Sequence, residues 1–103
     1  MNTRVLQIAI PLSIARDTTE KKILGVLLEE ALTKREYYLS QSAYFQEKYK
    51  LTLVKFKHKT QHAAKEKFDE FDDLMEWEAC DLAGKEWDKK HKDLTSCWKS
   101  SKH

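Results

Sequence analysis

Turn-forming residues are nearly missing from this chain, which has two glycines and one proline in 103 residues. That scarcity suits long helices and disfavours sheets with many turns. The same scarcity removes the glycine-rich loops that cradle phosphate and the elbow that presents a catalytic serine. Cysteine is scarce as well. Cys80 and Cys97 on one continuous helix would stand about 25 Å apart, too far for a disulfide, so reduced thiols in a cytoplasmic protein are expected. Neither charge sign dominates, and a net charge of +2 gives no global pull toward nucleic acid or membrane. No apolar run approaches the roughly 18 residues that span a bilayer. Arg4 and the fairly apolar residues 5–15 loosely resemble an export signal. Gln7 and Pro11 interrupt that run, however, and one basic side chain makes a poor leader, so export is not expected.

What the chain does have is helical periodicity. Trp77, Cys80, Gly84, Trp87, His91, Leu94 and Trp98 step by three and four, so all three tryptophans share one seam. Gly84 sits inside that seam despite the roughly 1 kcal/mol it costs a helix, which implies close approach of a second helix there. A second seam comprises Leu24, Leu28, Ala31, Arg35, Tyr38, Ser42, Phe45 and Tyr49, with Arg35 and Ser42 as polar interruptions. Ile23, Leu27, Leu32 and Leu39 widen it. Apolar side chains all round residues 23–32 call for burial on more than one side, which a lone two-helix hairpin does not provide, so a homodimer is expected.

The expected fold is all-α. Two long antiparallel helices, about 17–50 and 69–98, pack around a short connecting helix. Residues 1–16 form an N-terminal arm, 17–98 the helical domain, and 99–103 a disordered tail. Asp17 is the expected N-cap of the first long helix, with Glu20 completing a capping box. Residues 51–59 read as a short helix capped by Thr52 and anchored by Leu51, Leu53 and Phe56, with a strand as the alternative. Residues 60–67 read as a loop or a frayed turn. Residues 3–10 alternate weakly and form either a strand, paired with a copy of itself or a partner's sheet edge, or an extended arm.

Charge is segregated. Lysines dominate residues 48–67, and every charge in residues 69–81 is acidic: Asp69, Glu70, Asp72, Asp73, Glu76, Glu78 and Asp81. The first of these suit the positive end of a helix. The others pair with the lysine segment or meet a basic partner. His58 and His62 are spaced for a metal, but no third and fourth ligand follow, so no metal site and no cofactor are expected.

Residues 44–56 and 71–79 resemble small prokaryotic antitoxins of type II toxin–antitoxin pairs. In that family a helix ends in Phe-x-x-Lys-Tyr-Gly, a short helix with two anchoring apolar residues follows, and a last helix carries Asp-Asp-x-x-Glu-Trp-Glu. Phe45, Glu47, Lys48 and Tyr49 match the first part, Leu53 and Phe56 the second, and Asp72, Asp73, Glu76, Trp77 and Glu78 the third. Lys50 stands where the family prefers glycine as a helix C-cap. The resemblance implies a non-enzymatic protein that neutralises a ribonuclease-like toxin by direct binding. Phe45, Tyr49, Trp77 and Trp87 would be its anchors, and Asp72, Asp73, Glu76 and Glu78 its charge complement. Two other classes compete. A DNA-binding repressor, autoregulating the same operon, would place paired arms in the major groove of operator DNA with Thr3, Val5 and Gln7 outward. In that ribbon-helix-helix reading Gly25 is the only candidate turn. A magnesium-dependent nucleotide pyrophosphatase would need Glu29 and Glu30 to converge with Glu70, Asp73 or Glu76, and Thr33 stands where its third acid belongs.

Overall fold

The computed structural model describes residues 2–62 and 68–101. Its elements, in order, are α1 (Leu12–Ala15), α2 (Glu20–Tyr49), α3 (Leu53–Gln61) and α4 (Phe68–Ser100). The protein is all-α, and no strand forms among the described residues. Of residues 60–67, where the loop was expected, 63–67 lie outside them, and Thr60 and Gln61 belong to α3. The expected tail begins later than residue 99, because α4 continues to Ser100; residues 102–103 are outside the described set.

The start of α2 also differs from expectation. Asp17 is not its cap. Pro11 opens the single turn of α1, and Thr18 closes behind it, its hydroxyl donating to the Ile14 carbonyl at 2.7 Å. The helix therefore starts at Glu20, with the Thr19 hydroxyl accepting from the Lys22 N–H at 3.1 Å. At the other end Lys50 takes the left-handed conformation with φ 56°, and its N–H donates to the Gln46 carbonyl at 2.8 Å. The backbone therefore has the shape a glycine C-cap would give. Thr52 caps α3, accepting from the Lys55 N–H at 3.3 Å, as its sequence position suggested.

α2 and α4 pack antiparallel along their length. Phe45 stacks on Trp77 with centroids 5.8 Å apart, and Arg35 lies beside Asp88. A Cβ built on Gly84 would meet Tyr38 Cβ at 3.5 Å and the Leu39 nitrogen at 3.9 Å, so the helices do come close at this glycine. The two polar interruptions of the α2 seam each face a polar group. Ser42 Oγ accepts from the Trp77 indole N–H at 2.9 Å. Arg35 Nη1 reaches Asp88 Oδ1 at 3.4 Å and the His91 ring at 3.5 Å. Shifting one helix by a turn would strand both pairs against apolar neighbours, so they fix the register.

The core lies at one end. Phe45, Phe56, Leu74 and Trp77 are buried, with Tyr49, Leu51 and Leu53 packed around them where α3 crosses the hairpin. Thr60 is fully buried too, its hydroxyl satisfied by the Phe56 carbonyl at 2.8 Å. Away from that end, Ala31, Cys80 and Gly84 alone are buried among the described residues. The molecule is long, 62 × 25 × 22 Å with a radius of gyration of 19.6 Å, against roughly 13 Å for a compact domain of this length.

Candidate partner-binding surfaces

The expected anchors divide into two groups. Phe45 is 3% exposed and Trp77 1% exposed, so both serve the chain's own core in this conformation. Tyr49 is half-buried, stacked on Phe56 at 4.0 Å, and its hydroxyl donates to Asp73. Trp87 is half-exposed beside the Lys90 ammonium, 4.3 Å from the ring centroid. Asp72 and Glu76 are exposed.

The charge segregation closes in part on itself. Lys48 Nζ bonds Asp73 at 2.7 Å, and Lys57 Nζ lies 3.3 Å from Glu78. Asp73 and Glu78 are thus paired within the chain. Burial alone would raise the Asp73 carboxyl, but hydrogen bonds from Lys48 and Tyr49 outweigh it and hold the group below its usual value. The same cluster pushes the Tyr49 phenol up to about 12, through burial first and then its bond to the carboxylate. Burial, and then the nearby Glu76 charge, raises the Cys80 thiol, which makes it a poor nucleophile.

One surface escaped the sequence reading. Phe68, Met75 and Leu82 are 72%, 70% and 60% exposed and stand seven residues apart, so they form a row on the outer face of α4. Asp72 and Glu76, both exposed, run along one side of that row. The seven-residue spacing was present in the sequence, but the tryptophan seam claims the same helix, and only burial tells the two faces apart.

Geometry does not support the other two constellations. α2 runs unbroken through Gly25, which packs against the Trp98 ring instead of making a turn, so the ribbon-helix-helix arrangement is absent. Thr3, Val5 and Gln7 lie exposed on the arm, and residues 2–10 adopt no regular structure. The antiparallel register puts Glu29 and Glu30 near the C-terminal end of α4. Asp73 sits beside Tyr49, about 30 Å further along the α2 axis, so these acids cannot converge within one chain. Among the described residues no group of three His, Cys, Asp or Glu side chains comes together. His58 on α3 and His62 at its C-cap lie side by side at exposed positions, their ring centroids 4.5 Å apart. None of the described helices is long and apolar enough to cross a membrane.

Comparison with protein-family models, with curated proteins and with solved structures finds no match.

Proposed function

We propose that this chain works by binding another polypeptide, as the antitoxin of a type II toxin–antitoxin pair, and that it does so as a cytoplasmic homodimer. The observation that carries the binding reading is the row Phe68, Met75 and Leu82 with Asp72 and Glu76 beside it. An apolar ridge with carboxylates along one side suits a partner that sets basic groups beside an apolar groove. The antitoxin form of the reading comes from the sequence resemblance, and it places the contact on the same turns of α4. The dimer is supported by Ile23, Val26 and Leu27, which are 42%, 60% and 42% exposed on α2.

Co-expression with the product of the adjacent gene tests the function. Co-purification of the two, together with relief of that product's toxicity, is the expected result. Met75→Asp combined with Glu76→Lys should weaken the complex at least tenfold while leaving helix content unchanged. A neighbouring product that neither binds nor harms cells would overturn the antitoxin reading.

A further inference from the structure

The outward face of α3 carries two imidazoles that neither the core nor the α4 row uses. Phe56 and Thr60 face the hairpin and are fully buried. His58 and His62 lie on the other side of α3, both exposed and one turn apart. Their ring centres are 4.5 Å apart and their planes are inclined at 52°, so the rings are neighbours without being stacked. Among the described residues, no hydrogen bond ties either ring to another group. The backbone beneath them is well anchored. Phe56 stacks on Tyr49 at 4.0 Å and lies 5.5 Å from the Trp77 ring. The His62 N–H closes the last turn by donating to the Lys59 carbonyl at 3.3 Å.

We propose that His58 and His62 form a two-ligand surface site for a divalent first-row transition ion of the nickel or copper kind. Neutral imidazole suits these ions, whereas magnesium and calcium take oxygen. The ring spacing selects the geometry. A metal about 2.0–2.1 Å from one nitrogen of each ring stands about 3.2 Å from each ring centre. Two rings at a right angle about the ion then have centres about 4.5 Å apart, against about 5.2 Å at the tetrahedral angle. The observed 4.5 Å fits the right angle, which square and octahedral ions use and tetrahedral zinc does not. The ring centres already have this spacing, so each ring has only to turn a nitrogen toward the ion. Water fills the remaining positions, so the absence of third and fourth protein ligands rules out a closed zinc centre but not this site. Charge acts in both directions. Lys55 and Lys59 share the face and oppose a cation, but both are exposed and screened by salt. The carbonyls at the C-terminal end of α3 attract a cation to the last turn. Once bound, the ion ties two successive turns together and stiffens the helix that packs against Trp77. The site stands independently of the antitoxin and homodimer readings.

Isothermal titration of the full, untagged chain with nickel chloride tests the site. One ion should bind per chain, and magnesium chloride should give no signal. His58→Asn and His62→Asn should each weaken nickel binding at least about tenfold, because either leaves a single imidazole. Lys55→Ala, on the same face, should leave binding equal or tighter. All three positions are exposed, and circular dichroism checks that each variant stays helical. Nickel at a hundredfold excess over its Kd should raise the melting temperature by at least about 5 °C, and both histidine variants should lose that rise. No binding at about 1 mM nickel overturns the proposal. Loss in only one histidine variant assigns the ion to a single imidazole and overturns the pair. Binding that both variants keep places the ion elsewhere, at Cys97 or His91 for example, and overturns it as well. Binding without a rise in melting temperature shows that the unfolded chain holds the ion equally well, which overturns a site made by the folded helix.

Discussion

The two ends of the α2–α4 hairpin are built from the same pair of helices and present the same kinds of side chain, yet they differ in burial. Where α3 crosses, Trp77 is 1% exposed, sandwiched between Phe45 and Phe56. At the far end Trp98 is only half-covered, against Gly25 and the Lys21 ammonium, and Ile23 and Leu27 face solvent. Two helices meet along a line and shield one stripe each. A tryptophan needs a third element to close over its ring. α3 is that element at one end, and nothing within the described chain plays its part at the other. The closed end therefore supplies stability, while the open end supplies surface for association.

Substitution of the two tryptophans is the strongest way to break this contrast. Trp77→Ala should cost about 3–5 kcal/mol, since it opens a cavity among fixed aromatic neighbours and leaves Ser42 without its donor. Trp98→Ala should cost about 1–2 kcal/mol in the isolated chain. Urea denaturation measures both, and equal losses would dissolve the distinction. Gly84 comes next. Gly84→Leu should lose about 1–3 kcal/mol, because its side chain has no room against Tyr38 and the Leu39 backbone. Gly84→Ala places a methyl at ordinary contact distance and should gain up to about 1 kcal/mol of helix propensity. The direction of the alanine change decides whether the glycine serves contact or only the absence of a bulky chain.

Smaller effects sharpen the picture of the closed end. Lys50→Gly should stabilise the protein by about 1 kcal/mol, relieving the left-handed backbone at the α2 C-cap, as a rise in melting temperature. The Tyr49–Asp73–Lys48 cluster lies near the surface, so its contribution is modest, but its pH dependence is distinctive. The Asp73 value is depressed on folding, so its contribution is present above pH 3.8 and is lost as pH falls through the lower folded value. The Tyr49 value is raised from 10.0, so its contribution is complete below pH 10 and disappears as pH rises toward about 12. Absorbance titration should show Tyr49 ionising late. Tyr49→Phe should remove that late step and flatten both edges of the stability profile.

Much of the fold could be read from residue spacing. The three-and-four steps of both long seams identify the faces that meet, and Gly84 marks a place where they come close. Thr52 was visible as a cap for α3. That Lys50 holds a left-handed C-cap was not legible in residue spacing and came from the folded backbone. Charge misled in part. Asp73 and Glu78 look like a surface for a partner until folding brings Lys48 and Lys57 against them. The row Phe68, Met75 and Leu82 was equally hard to see, because spacing alone does not rank two stripes on one helix.

By itself, then, the sequence determined the helices and their contact faces, since a period of 3.6 residues turns spacing into direction before any neighbour exists. Only the tertiary structure decided which tryptophan is sealed, which carboxylates are neutralised at home, and which end stays open. Those outcomes depend on where α3 lies across the hairpin, a long-range placement that local periodicity does not encode.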